Sequence, residues 1–95
     1  MAEVVWTEAA AEDLDAAAKY IARDSPRFAA AIIQQAFLAS DSLAVFAARG
    51  RMVPELSQPE IRELSVQSYR LIYHSSGELV AVLGFIHQAR DLPSL

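Results

Sequence analysis

The segment YRLIYHSSGELVAVLGFIH, residues 69–87, decides the fold of this chain. It opens with a run that is apolar apart from Arg70 and the closing His74, passes through Ser75-Ser76-Gly77, and continues into a second apolar run. Two such runs joined by a short turn containing glycine are typical of a β-hairpin. The second run, Glu78 to Ile86, is apolar at both odd and even positions, which predicts a central strand covered on both faces.

The residues before this hairpin keep the two-residue period of a strand. Ile61, Leu64 and Val66 predict a strand that precedes the hairpin directly. Pro54 and Pro59 bracket an irregular segment before that strand. The second half of the chain therefore predicts three successive strands after an irregular connection.

The first half of the chain predicts a short strand and then a helix. The β-branched and aromatic run Val4 to Trp6 is suited to a strand. Thr7 follows as an N-cap, with carboxylates in the next turns, where they meet the positive end of the helix dipole. Apolar residues then recur with a helical period, which predicts a helix over about residues 8–23.

A second helix is predicted to follow almost at once. Ser25 is suited to the N-cap and Pro26 to the first helical position. The apolar pattern extends this helix to about Ala48, with Gly50 as its C-cap. Its expected buried stripe consists of Phe28, Ile32, Ala36, Ala39, Leu43 and Phe46.

The predicted order of elements is β-α-α-β-β-β. This is an α+β fold with a helical hairpin packed on an antiparallel-rich sheet. Ninety-five residues suit one small domain, which we expect to span residues 1–95. The tail from Gln88 to Leu95 has no strong pattern.

Composition excludes several classes of protein. Hydrophobic residues make up 54% of the chain, which is enough for a packed core and argues against disorder. No apolar run approaches the roughly 20 residues that cross a bilayer, and the first residues do not resemble a secretory leader. There is no cysteine, and the two histidines show no metal-ligand spacing. We expect a cytoplasmic protein with no metal, no cofactor and no membrane partner.

Charge restricts the partners further. Eight basic residues stand against twelve acidic ones, giving a net charge of −4. Affinity for nucleic acid comes largely from cations that displace counterions at phosphates. The chain contains a single lysine, so we expect no sequence-specific DNA binding by this protein alone.

Three polar residues could carry chemistry. If Glu55, Arg70 and His87 converge at one sheet edge, they would suit cleavage of a phosphodiester: a carboxylate base, a guanidinium for the phosphorane charge and an imidazole acid. The structural alternative is that Arg70 forms a salt bridge with Glu55 or Glu63 and that His87 is merely hydrogen-bonded.

The second helix carries more apolar surface than one packing face needs. Ile33, Phe37 and Leu38 cannot all point toward the sheet together with the alanines around them. An exposed apolar strip of this kind marks a partner, unless the alanines are present only as good helix formers.

Four ordered motifs carry a resemblance to a known family. They are GRMVPEL at residues 50–56, IREL at 61–64, YRLIY at 69–73, and Ile86-His87 with Arg90 three residues later. With the element order, these motifs resemble the RelE/ParE superfamily of bacterial type II toxins, also called plasmid stabilisation proteins, over residues 3–91. The resemblance implies a ParD-like antitoxin whose C-terminal segment wraps the toxin as helix and strand.

The superfamily divides by target. RelE-like members cleave messenger RNA on the ribosome, whereas ParE-like members poison DNA gyrase by protein–protein contact. Glu55, Arg70 and His87 match the Glu, Arg and His positions of YoeB-type ribonucleases, but this chain lacks their terminal aromatic residue and their basic charge. The ParE-like branch is therefore favoured, with ribosome-dependent cleavage of mRNA as the alternative. Candidate contacts with the antitoxin or the target are Ile33, Phe37, Leu38, Arg49, Arg51, Arg62 and Arg90.

Overall fold

A computed structural model describes residues 1–90; the last part of the predicted irregular tail, residues 91–95, lies outside the described residues. The elements are strand β1 (Glu3–Trp6), helices α1 (Glu8–Ala22) and α2 (Pro26–Ser42), a short 3-10 turn (Ala47–Arg49), and strands β2 (Arg51–Met52), β3 (Ile61–Val66), β4 (Tyr69–Ser76) and β5 (Leu79–His87).

The five strands form one mixed sheet in the order β1-β5-β4-β3-β2. β1 runs parallel to β5, and all other neighbours are antiparallel. The predicted β4–β5 hairpin is confirmed, and Gly77 takes the left-handed conformation that its turn requires, with φ of +59°. The predicted α+β class is also confirmed, with β2 as a short additional strand.

Both helix starts follow the predicted capping chemistry. The hydroxyl of Thr7 accepts a hydrogen bond from the Ala10 backbone N–H, and the hydroxyl of Ser25 accepts one from that of Phe28, each at 3.1 Å. The helices pack on one face of the sheet, where Leu14, Ile32 and Leu71 belong to the main core. Neither helix within residues 1–90 is long and apolar enough to cross a membrane.

The predicted end of the second helix at Ala48 is wrong, because α2 ends at Ser42. The Ser42 hydroxyl donates to the Ala39 carbonyl at 2.6 Å, and that of Ser40 donates to the Phe37 carbonyl at 3.0 Å. Such bonds compete with the helical backbone pattern in the last turn. Two residues of the expected buried stripe lie beyond this end: Leu43 is buried, whereas Phe46 is exposed. Phe28, at the other end of the stripe, is also exposed.

The predicted C-cap of the second helix at Gly50 is wrong, because α2 is capped at Leu43 and Gly50 follows the 3-10 turn with an extended backbone. The side chain of Tyr73, which is fully buried, occupies the space beside it. A Cβ on Gly50 would lie 2.6 Å from the Glu63 carbonyl oxygen and 2.7 Å from the Tyr73 hydroxyl. Close packing, and not helix termination, explains the glycine.

β5 has apolar residues at both odd and even positions because it contains a bulge. Ile72 faces Gly84 and Tyr73 faces Val82, so Leu83 is an extra residue in β5. Val82 before the bulge and Phe85 after it therefore both point into the helix-side core. The predicted cover on both faces of β5 is only partial, since the helices lie on one face.

The opposite face of the sheet has a small core of its own. Val53, Ile61 and Ile72 are buried there, with Leu56 and Ile86 packed against them. Val53 and Leu56 belong to the irregular segment between β2 and β3, which folds over this face. That segment also brings Glu55 to the sheet.

Tyr73→Phe should lower the free energy of unfolding by about 1–3 kcal/mol. The Tyr73 hydroxyl donates to the Ala47 carbonyl at 2.7 Å and accepts from the Gly50 N–H at 2.9 Å, so its removal leaves one partly buried and one buried backbone group unpaired. Chemical denaturation of the variant measures the loss. Tyr20→Phe, which changes an exposed tyrosine, is the control; equal stability of both variants would contradict the expectation.

Candidate functional site

Arg70 lies at the centre of an ion-pair network on the sheet face opposite the helices. Arg70 is only 6% exposed. Two guanidinium nitrogens donate to the two carboxylate oxygens of Glu55, at 2.8 and 2.7 Å. Two N–H groups also reach Oε1 of Glu63, Nε at 3.0 Å and Nη2 at 2.6 Å. Arg70 is therefore held between two carboxylates, of which Glu63 is 3% exposed.

The fifth donor of Arg70 is also used. Nη1 donates to the backbone carbonyl of Arg90 at 3.1 Å. A guanidinium has five N–H groups and no acceptor, so these five hydrogen bonds complete its capacity. The hydrogen bonds with Glu55, and then those with Glu63, raise the pKa of Arg70 further above its ordinary value, which keeps the group charged.

Arg51 extends the network at its solvent side. Its Nε and Nη2 donate to Oε2 of Glu63 at 3.1 and 2.9 Å. Charges thus alternate along Arg51, Glu63, Arg70 and Glu55, and the network ties β2, β3, β4 and the irregular segment together. The structure therefore contains the salt bridge that the sequence offered as the alternative to catalysis. Arg70 pairs with both of the expected carboxylates, Glu55 and Glu63.

His87 lies on the other side of the sheet from Arg70. In the β4–β5 register, His87 pairs with Tyr69 whereas Arg70 pairs with Ile86. The His87 ring meets that of Tyr69 edge-on with centroids 5.4 Å apart, and its Nδ1 accepts from the Ala89 N–H at 3.1 Å. Of the three residues proposed for catalysis, the fold brings Glu55 and Arg70 together and separates His87 from them.

The remaining candidate arginines occupy different places. Arg49 donates to the Ser42 hydroxyl, and Arg62 donates to the Gly50 carbonyl at 2.9 Å, so both hold the connection between α2 and β2. The side chain of Arg90 is exposed, and within residues 1–90 no hydrogen bond or ion pair engages its guanidinium.

The apolar strip of Ile33, Phe37 and Leu38 lies on α2. Phe37 is 45% exposed and Leu38 is 62% exposed, whereas Ile33 is partly buried against the core. A cavity of about 350 Å³ lies between the two helices here, lined by Trp6, Ala11, Leu14, Asp15, Ile33 and Phe37. The aromatic rings of Trp6 and Phe37 are 5.2 Å apart.

Sequence reasoning missed two parts of the surface. Val45 and Phe46 follow the early end of α2 and are exposed, although Phe46 was expected in the buried stripe. Tyr20 is a further exposed aromatic residue, at 66%; its position outside the helical period of Leu14, Ala17, Ala18 and Ile21 was the available signal. Residues 1–90 hold no group of three or more side chains that could bind a metal ion.

Comparisons with known proteins agree with the fold and its motifs. The family model for the ParE toxin of the type II toxin–antitoxin system parDE matches residues 4–92. Toxin RelE2 of Caulobacter vibrioides is 38% identical over 91 residues, which cover 95% of this chain and 99% of that protein. A solved structure titled as the chromosomal ParDE toxin–antitoxin system of P. aeruginosa superimposes with a TM-score of 0.74 at 24% identity, covering 92% of this chain and 96% of the other.

These matches define a small α+β toxin of the RelE/ParE superfamily. The chain belongs to the ParE toxin family of type II toxin–antitoxin systems. An antitoxin is accordingly its partner.

Proposed function

We propose that this toxin acts by binding a protein, DNA gyrase, in the bacterial cytoplasm and that a ParD-like antitoxin holds it inactive. The observation that carries the proposal is the state of Arg70. All five of its N–H groups are bonded to Glu55, Glu63 and the Arg90 carbonyl. A guanidinium in that state has no donor left for a developing phosphorane, which argues against an RNA-cleaving site here.

Two further observations support a protein target. His87 lies on the opposite side of the sheet, paired with Tyr69, where it cannot protonate a leaving group held beside Arg70. The chain carries a net charge of −4 with one lysine, which opposes docking on ribosomal RNA. Association with another protein makes no such demand on net charge.

The apolar strip supports the antitoxin part of the proposal. Phe37 and Leu38 are large, exposed side chains beside an apolar cavity between the two helices. Such a surface suits the apolar face of an amphipathic helix supplied by a partner. The toxin without its antitoxin should therefore aggregate readily.

A supercoiling assay tests the target. Purified toxin in stoichiometric excess should inhibit DNA gyrase and trap its cleavage complex, and addition of the antitoxin should relieve the inhibition. Toxin pre-bound to the antitoxin serves as the control for unrelated effects of added protein. Unchanged supercoiling, with no trapped complex, would reject gyrase as the target.

Ribosome-dependent cleavage of mRNA is the second candidate. It is favoured by one observation: Glu55, Arg70, Ser65 and Gln88 line the same open cavity of about 680 Å³. If this cavity were catalytic, a translation extract would show cuts at codon-defined positions that disappear with Glu55→Gln. We expect the message to remain intact with the unsubstituted toxin.

A further inference from the structure

A second recess lies at the end of the molecule where α1 meets α2. One cavity of about 440 Å³ and another of about 190 Å³ both border Tyr20, Tyr69 and His87, and we take the two together as one recess. We call it the Tyr20 groove and define it by Tyr20, Phe28, Tyr69, Phe85, His87 and Arg90.

The floor of the Tyr20 groove is aromatic. Tyr69 stacks on Phe85 with ring centroids 4.9 Å apart and an interplanar angle of 4°. The rings of His87 and Tyr69 meet edge-on. Because the Tyr69 ring is stacked on Phe85 and met by His87, it is poorly placed to stack on a nucleobase, but it can support an apolar side chain.

Two arginines flank the Tyr20 groove: Arg90 is part of its lining, and Arg23 lies beside Tyr20, outside the lining. The Arg23 guanidinium lies 5.9 Å from the centroid of the exposed Tyr20 ring. Arg90 lines the groove, and its guanidinium has no ion-pair partner among residues 1–90. The carboxylate in the lining is that of Asp13, which accepts a hydrogen bond from the Phe85 N–H at 3.1 Å.

The Tyr20 groove and the apolar strip are separated by α1, because their cavities use opposite faces of this helix. The cavity beside the strip uses Ala11, Leu14 and Asp15, whereas the groove uses Asp13, Ala17 and Tyr20. A partner helix seated on the strip therefore leaves room for a different ligand at the groove.

We infer that the Tyr20 groove docks an acidic segment of the toxin's target protein, with an aliphatic or aromatic side chain of that segment seated on Tyr69. The apolar floor receives the aliphatic or aromatic side chain, and the charges of Arg23 and Arg90 attract the acidic residues on either side of it. This inference depends on the proposed function only in that the target is a protein, whichever protein that is.

Photo-crosslinking tests the inference in the full chain. Photoreactive p-benzoylphenylalanine replaces Tyr20, and in a second variant Phe28, in toxin induced in bacteria without antitoxin. We expect a crosslinked product that a protease destroys and a ribonuclease does not. Adding Arg90→Glu should lower its yield at least about tenfold, because the substitution places a carboxylate against the acidic segment. Retained antitoxin binding shows that each variant is folded.

Lys19→Glu is the matched control. It reverses a charge on the same helix, but Lys19 is bonded to Asp15 on the exposed side of α1 and does not line the groove. A crosslink to gyrase supports both this inference and the proposed function, and a crosslink to another protein that Arg90→Glu weakens supports the groove but rejects gyrase. A crosslink to RNA or to no macromolecule, or one weakened equally by Lys19→Glu, would overturn the inference.

Discussion

Arg70→Met should lower the free energy of unfolding by about 3–5 kcal/mol, the loss expected when one partner of a buried ion pair is removed. The substitution leaves Glu63, which is 3% exposed, with only the solvent-side Arg51 as a cation. It also frees the irregular segment that Glu55 attaches to β4. Chemical denaturation of toxin released from its antitoxin measures the change.

Two comparison variants make this result specific. Arg27→Met removes an exposed arginine at the start of α2 and should change stability by less than about 0.5 kcal/mol. Arg70→Met combined with Glu63→Gln should recover part of the loss, since the buried carboxylate is then neutral. If Arg70→Met is as stable as the unsubstituted toxin, the network does not hold the fold together.

Leu38→Asp should weaken antitoxin binding at least about tenfold while leaving the fold intact. Leu38 is 62% exposed, so the carboxylate can be solvated in the free toxin. In the complex, the same carboxylate would be buried against an apolar partner surface with no cation to pair it. Calorimetric titration of the toxin with its antitoxin gives the affinity.

Gln58→Asp is the control for Leu38→Asp. It adds the same charge at an exposed position of the irregular segment, on the sheet face away from the helices. Its affinity for the antitoxin should match that of the unsubstituted toxin. Equal affinities for all three proteins would place the antitoxin elsewhere, and loss of circular dichroism in Leu38→Asp would mean that the strip belongs to the core.

Local signals in the sequence predicted much of the fold. Thr7 and Ser25 cap the two helices as their chemistry requires, and Gly77 allows the turn of the β4–β5 hairpin. The end of α2 was not predictable from the apolar pattern, because the apolar residues continue past Ser42. The serine hydroxyls that bond to backbone carbonyls, rather than hydrophobicity, accompany the end of this helix.

The candidate site was harder to predict than the fold. Whether Arg70 faces a cavity or a carboxylate depends on where the irregular segment places Glu55, and no periodicity reports that. The face occupied by His87 depends on the bulge at Leu83, which reverses the alternation of β5. A one-residue shift of this kind does not change the apolar pattern of the strand, so the sequence does not indicate it. The separation of His87 from Arg70 follows only from the β4–β5 pairing register.

The partition of the toxin between ribosomes and gyrase distinguishes a protein target from a ribosomal one. Labelled toxin is mixed with both at physiological salt, and each is then recovered by sedimentation or affinity capture. We expect the toxin in the gyrase fraction, because a chain with a net charge of −4 has little affinity for ribosomal RNA. Stoichiometric retention on ribosomes, with gyrase free of toxin, would contradict it.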